Sequence, residues 1–536
     1  MKQRNSTITK IVALAVLGTG AGHVSAQQAR TTLSAQNFPQ VGVVDERFQS
    51  YNIEMLEVTG GKFWKPYSDI HIPTPAPGAG DKPSTPPGMN PAMFAYRPPL
   101  DLSNTRLRNL ASALAPAYVR TSGTWANNTY FDDADNAISQ PPAGFSGVLT
   151  RQRWKALVEF SNTVNAPIIT SFATSPGVRD SNGVWQPDQA RRFLNYTQSI
   201  GGHIAAAEFM NEPNIASIGG APKGYDAKAY GQDFKVFHTF ARDAAPQMLV
   251  LGPGSVGEND AGWGMGNTGI PMIGTAALLQ AAGSGVDRFS YHHYSAVSQR
   301  CAPAGQTTEN AALSEDWLAR TDVTFAFYRH LRDRFEPGKP IWLTETGDAA
   351  CGGNPWASTF RDTFRYLDQL GRLAKQGVEV VAHNTLVASD YGLLDENTFA
   401  PKPNYWGALL WHRFMGTVVL DAGVERREGL HAYAQCLRGT AGGVALLVIN
   451  NDEKHSSRIY LQQRSNRYTL ASTAALSGKE VALNGVPLKL TTGDELPALT
   501  GAPTEAGALE FKPATITFLT VPEANNPACA QGAHNP

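Results

Sequence analysis

Two rhythms of apolar and polar residues divide this chain. Between residues 46 and 415, short apolar runs alternate with longer stretches whose apolar positions recur at helical spacing. Eight runs, at residues 48–56, 117–122, 167–173, 206–211, 248–252, 286–294, 340–345 and 378–384, read as buried parallel strands. Residues 105–114, 151–164, 187–200, 225–244, 313–335 and 358–376 read as helices between them. These alternations predict an α/β fold, a (β/α)8 TIM barrel with long insertions. A doubly wound open sheet is the competing fold, but the Gly-rich phosphate turn expected after its first strand is missing.

Beyond residue 415 the rhythm shortens. Residues 430–437, 443–450, 457–461, 468–472, 486–491 and 514–521 are brief alternating runs separated by turn residues, which predicts a β-sandwich over 416–522. Residues 27–45 precede the barrel and are placed to lend that sandwich a strand. The polar tail, 523–536, is expected to fray except at Cys529. The longest insertion, residues 60–99, follows the first barrel strand and so belongs at the C-terminal face, where barrel enzymes carry their active sites. Its Pro- and Gly-rich core, 73–88, forms neither helix nor sheet interior. Its flanks carry Phe63, Trp64, Tyr67, Phe94 and Tyr96, aromatic residues suited to a lid or subsite wall.

Composition and charge adjust this picture. Hydrophobic residues at 42% and charged residues at 17% allow large cores and exclude general disorder. A formal charge of −1 leaves no surplus of Lys and Arg for binding nucleic acid or a membrane surface. Lys2, Arg4 and Lys10, the apolar residues 11–17 and the small-residue exit Val24-Ser25-Ala26 read as a secretory signal peptide over 1–26. An exported, secreted or periplasmic protein is expected, acting as a monomer. Cys301, Cys351, Cys436 and Cys529 all follow that segment, and an oxidising compartment permits two disulfides in any of three connectivities. No pair has the spacing of a redox or zinc site.

The chemistry concentrates in two carboxylates. Glu212, in Asn211-Glu212-Pro213, ends the fourth predicted strand, and Glu345, in Thr344-Glu345-Thr346, ends the seventh. In a barrel both face the same mouth. Two facing carboxyl groups are what glycosidic cleavage requires: one protonates the leaving oxygen, the other attacks or activates water. No cofactor is implied, since the carboxylates suffice. His292 and His293 are adjacent on a strand and point to opposite faces, which argues against a metal pair; His292 is read as a hydrogen-bonding group on the Glu345 side. Thr124 and Glu54, from strands two and one, are candidate ligands for sugar hydroxyls.

The motifs together resemble a family. Asn211-Glu212-Pro213 with Glu345 is similar to the large clan of retaining barrel glycosidases. Val44-Asp45-Glu46-Arg47-Phe48, the run from Leu114 to Thr124, Tyr291-His292-His293-Tyr294, Gly352-Gly353 after the second carboxylate, and the run from Tyr391 to Glu396 resemble, in order, glycoside hydrolase family 79, the heparanases and β-glucuronidases. The resemblance implies double displacement with Glu345 as nucleophile and Glu212 as acid/base, carboxyls about 5–5.5 Å apart, and Asn211 on the sugar 2-hydroxyl. It also implies that Gly352 and Gly353 backbone N–H groups, Tyr391 and Tyr294 hold a glucuronate carboxylate. Cys351 replaces a family glycine, Glu54 a family Asp and Glu258 a heparanase amide. Cys301 and Cys351 follow adjacent strands, so one bridge is expected there and the other between Cys436 and Cys529 in the sandwich. The expected activity is release of terminal β-linked glucuronic acid from oligo- or polysaccharides. The alternatives are an endo-β-glucuronidase of heparanase type, a glycosidase for neutral sugars and a non-catalytic glycan binder.

Overall fold

The computed structural model describes residues 32–70, 91–264, 269–302 and 307–530; the expected signal peptide and the Pro-rich core at 73–88 lie outside them. Eight strands, Gln49–Asn52, Val119–Thr121, Ile168–Ser171, Ile204–Glu208, Leu249–Val256, Arg288–Tyr294, Ile341–Gly347 and Val378–His383, close into a barrel, each parallel to the next. The ring is sealed by the eighth strand on the first, with Val381 opposite Gln49. Strand one stops short of its expected end because Glu54 starts a helical turn, Met55–Thr59, its backbone N–H donating to Glu57 Oε2 at 2.7 Å. The six expected helices form within two residues of their predicted ends. Two more, Thr275–Ala282 and Pro403–Phe414, escape the periodicity. The first is short, with a single polar side chain past its first turn. The second is apolar nearly all round because the barrel and the following sheet both bury it.

The C-terminal strands form a large sheet and a three-stranded one. Successive residues of the strands His431–Leu437 and Val444–Asn450 alternate between two cores. Ala432, Ala434, Leu446 and Val448 pack inside the sandwich, while Tyr433, Leu447 and Ile449 join the barrel core. The large sheet is therefore covered on both faces. The N-terminal segment contributes two strands, Thr32–Leu33 beside Ser457–Leu461 and Gln40–Val43 beside Met415–Leu420. Only Val486–Pro487 of the run at 486–491 pairs as a strand. The frayed tail is corrected as far as Ala530. Asn526, buried, donates to the Ala35 and Phe38 carbonyls at 2.8 and 2.9 Å, and Cys529 bridges to Cys436.

A charge cluster locks the large sheet to the barrel. Asp368, on the helix Phe360–Lys375, accepts from His431 Nδ1 at 2.6 Å and pairs with Arg372, and His431 Nε2 meets Glu315 at 2.9 Å. Burial opposes the charge on Asp368, but His431 and Arg372 outweigh it and hold the acid well below its ordinary range. Burial likewise opposes the charge on His431, yet Asp368 and Glu315 carry its pKa up to about 9.

Candidate active site

The mouth of the barrel is organised around Arg120 on strand two, 1% exposed. Its Nη1 donates to Glu345 Oε2 at 2.8 Å, and its Nη2 donates to Asn211 Oδ1 and Glu208 Oε2, each at 2.8 Å. The other Glu208 oxygen accepts from Ser290 and Thr344, both at 2.7 Å. Burial opposes the Glu208 charge, but Arg120 above all, and then His292, hold its carboxyl far below the usual range. Arg120 and Glu208 went unassigned in the sequence. The available signal was an Arg and a Glu each set inside an otherwise apolar strand, where an unpaired charge is prohibitive and a cross-barrel pair is the remedy.

Glu212 sits past the end of strand four with φ +49°, a left-handed conformation that costs a non-glycine residue about 1 kcal/mol or more. The turn is held from outside. Asn127 accepts from the Asn211 N–H at 2.9 Å and donates to the Asn211 carbonyl at 2.9 Å. Glu345, from strand seven, accepts from Tyr294 OH at 2.6 Å as well as from Arg120.

His292 lies beneath both carboxylates. Its Nδ1 is 3.0 Å from Glu212 and 3.7 Å from Glu345, so the expectation that it serves the Glu345 side is corrected: its bond is to Glu212. Strand six brings it opposite Glu345 in the register, but the Glu212 turn curls over the ring. Burial disfavours a second ring proton and the carboxylates favour one, Glu345 above all, to a pKa of about 9. That proton would face Arg120 Nη2 across 3.2 Å. A guanidinium only donates, so this contact favours a ring nitrogen that accepts, while the carboxylates around the ring favour the protonated form whose charge acts on Glu345. His293 points the other way, as the strand period requires; burial, with Arg365 and Arg320 nearby, brings its pKa down to about 3.

The two candidate catalytic acids are tuned apart. Burial and the Glu345 charge raise the pKa of Glu212. Burial also pushes Glu345 up, but His292, Arg120 and the Tyr294 hydroxyl outweigh it and hold Glu345 below its ordinary value. Glu54 is driven well upward by burial and then by Glu345; its Oε1 accepts from Asn384 at 3.1 Å. The longer Glu54 side chain is accommodated because Gly123 has no Cβ, which would stand 1.6 Å from Glu54 Oε2.

A cavity of about 330 Å³ opens over these groups, lined by Glu54, Thr124, Glu212, Tyr294, Glu345 and Tyr391 among others. Asn211 and His292 are at its floor, each 1% exposed or less. The insertion after strand one supplies a wall: Gly61–Trp64 pairs antiparallel with Phe94–Arg97, and Phe63, Trp64 and Phe94 face the cavity. Gly352 and Gly353 do not line it; Ala350 and Cys351 do. Trp64 and Ser389 crowd over Gly352, and the Gly353 N–H is committed to the Ala349 carbonyl at 3.2 Å. Arg300 fixes this arrangement by donating to the Cys351 and Gly353 carbonyls at 3.1 and 2.9 Å, beside the Cys301–Cys351 disulfide. Glu258 is turned away and accepts from the N–H of Thr275, the first residue of a helix.

Glu212, His292 and Glu345 each bring one potential metal-ligand atom within 4.8 Å of the others. The Arg120 guanidinium bonded to Glu345 already supplies positive charge at that spot, so the set does not suit a divalent ion.

Comparison with known proteins agrees with this geometry. The model for "Glycosyl hydrolase family 79, N-terminal domain" matches residues 97–371. Heparanase of Mus musculus is 30% identical over 488 residues, 80% of this chain and 88% of that protein. Baicalin-beta-D-glucuronidase of Scutellaria baicalensis is 24% identical over 469 residues, 79% of this chain and 84% of that protein. In fold, the chain is similar to a 4-O-alpha-L-rhamnosyl-beta-D-glucuronidase from Fusarium oxysporum, with a TM-score of 0.61 at 14% identity over 91% of this chain and 100% of that one. With the family model and a heparanase spanning most of its length, and two opposed carboxylates at the barrel mouth, this chain belongs to glycosyl hydrolase family 79 and is a glycoside hydrolase.

Proposed function

We propose that the enzyme is an exported, retaining β-glucuronidase that removes terminal glucuronic acid from a glycoside. The observation that carries this reading is the pair Glu212 and Glu345, with carboxylate oxygens within 4.8 Å and pKa values moved in opposite directions. That closeness suits a direct attack better than the wider gap an inverting water needs. Glu345, ionised and aimed by Tyr294 and Arg120, attacks the anomeric carbon. Glu212 protonates the departing oxygen. Once Glu345 is esterified its charge is gone, and with it one of the causes that raise Glu212, which then takes a proton from the incoming water. Arg120 occupies Asn211 Oδ1, leaving Nδ2 to donate to the sugar 2-hydroxyl.

For the glucuronate carboxylate, Tyr391 is the best-placed donor. Its hydroxyl accepts from Asn384 Nδ2 at 3.1 Å and keeps its own proton to give. Glu54, protonated, adds a second neutral contact. Neutral donors bind an anion without setting a cation beside the oxocarbenium-like transition state. A bounded cavity whose described lining holds no Lys or Arg favours terminal action over endo cleavage of a sulfated polymer. Two disulfides fit export to an oxidising compartment.

The test is hydrolysis of an aryl β-D-glucuronide beside the matching glucoside, by wild type and Glu345→Gln. Glucuronide turnover that vanishes in the variant is the expected result. Turnover of the glucoside alone would refute the glucuronate assignment, and shortening of heparan sulfate chains would favour the endo activity.

A further inference from the structure

The cavity has two unlike ends. On the Glu345 side, strands one, six and eight present Glu54, Tyr294, Asn384 and Tyr391, a set of hydrogen-bonding groups suited to a sugar ring. On the Glu212 side the lining changes character. Ile215 and Ile218 follow Glu212 in the same loop, and Val256 and Ile270 come from the end of strand five and the segment after it. These side chains belong to one apolar cluster, which continues through Trp64 to the rings of Tyr294 and Tyr391. Facing them are aromatic rings in two pairs, Trp64 against Phe94 at 4.5 Å and Phe63 against Trp125 at 5.0 Å. Thr124, Asn128 and Ser146 are the polar exceptions, all from the loops after strand two. Every charged residue among the described lining is acidic: Glu54, Glu212 and Glu345.

Chemistry decides which end receives which half of the substrate. The group that protonates the departing oxygen must stand beside it, so the leaving group lies on the Glu212 side. We propose that this leaving group is an apolar alcohol or phenol, seated between the isoleucine cluster and the aromatic wall, rather than a charged or hydroxyl-rich sugar. A sulfated sugar there would find no described cation to pair with its sulfate. A neutral sugar could stack on Trp64, but its outward hydroxyls would face Ile215, Ile218 and Val256, which offer them no partner, and each unmade hydrogen bond is costly. An apolar ring gains instead, at about 25 cal/mol per Å² removed from water.

The inference rests on Glu212 being the acid of the proposed reaction, and its test separates the two halves of the substrate. Methyl and cyclohexyl β-D-glucuronide depart as alkyl alcohols of similar basicity and differ in apolar area, so their relative kcat/KM reads the pocket. A cyclohexyl-to-methyl ratio of at least about tenfold is expected, falling at least threefold in Ile218→Ser. A phenyl glucuronide measured against its 2-naphthyl counterpart extends the comparison to phenols. A ratio near one, or a higher kcat/KM for a glucuronide of a sulfated sugar, overturns the inference. If no glucuronide is turned over, the glucuronate reading fails, and the same alcohol pair is measured on whichever glycone is cleaved; a ratio near one there still overturns the apolar pocket.

Discussion

Two clusters of buried charge, one at the barrel mouth and one between barrel and sandwich, obey the same electrostatics and reach opposite outcomes. At the joint, Asp368 and Glu315 are met by His431 and Arg372, and both acids are held below their ordinary range despite burial. At the mouth, Glu54, Glu208, Glu212 and Glu345 lie around Arg120 and His292, with Glu57 accepting from the Glu54 N–H behind them. Only Glu208 and Glu345 are held down; Glu54 and Glu212 are raised, and burial above all carries Glu57 up to about 7. A balanced cluster is cement. A cluster with more acids than cations keeps some of them protonated near neutrality, which is the reagent a glycosidase needs.

The largest effects should therefore fall on different observables. Glu345→Gln is expected to lower kcat by about 10⁴-fold or more, while Arg120 keeps its pair with Glu208 and the fold persists. Asp368→Asn is expected to leave kcat within about twofold but to cost about 3–5 kcal/mol of stability in urea unfolding, because His431 and Arg372 lose their buried partner. If Glu345→Gln destabilised the protein more than Asp368→Asn, the division between reagent and cement would collapse.

pH sharpens the same contrast. The proposed reaction needs Glu345 ionised and Glu212 protonated. The acid limb of the kcat profile should thus lie below the ordinary Glu value of 4.5 and the alkaline limb above it, since Glu345 is lowered and Glu212 raised. Stability follows the joint. His431 has a folded pKa of about 9 against 6.5, so its contribution is complete below 6.5 and is lost as pH rises toward 9. Asp368 is depressed, so its contribution is present above 3.8 and lost as pH falls through its folded value. Unfolding experiments from pH 4 to 10 should show stability declining on the alkaline side, and His431→Gln should flatten that decline.

How far the sequence could foresee this differs between the clusters. The barrel strands were legible because burial on both faces leaves continuous apolar runs, and Glu212 and Glu345 stood out at their ends. The Pro403–Phe414 helix was opaque because a helix buried all round has no amphipathic period to read. Arg120 and Glu208 were visible as charges in apolar strands, yet their pairing is a contact across the barrel that linear spacing does not encode. Gly352 and Gly353 carry the motif but not the position. The Trp64 side chain covers Gly352 from an insertion far away in sequence, and only the fold reveals that Ala350 and Cys351 take their place at the cavity. The joint left no motif at all, because Asp368 and His431 read as ordinary polar residues of a helix and a strand.

The smallest predicted effect is the most discriminating, because it asks one atom the same question in both clusters. Tyr391 and Tyr433 are both buried and both have pKa values driven well upward by burial, so each stays a neutral hydroxyl. They differ in where the proton goes. Tyr433 donates to Asp368. Tyr391 accepts from Asn384, and among the described residues its own proton has no acceptor. Tyr433→Phe should then cost about 1.5–3 kcal/mol of stability, the worth of a hydrogen bond to a charged group, and leave kcat/KM unchanged. Tyr391→Phe should change stability little and lower kcat/KM for a glucuronide by about tenfold, the loss of one hydroxyl contact to the substrate. An equal loss of stability in both variants would mean that the Tyr391 hydroxyl is structural, and the proposed carboxylate contact would have to move to Glu54, since Tyr294 gives its proton to Glu345.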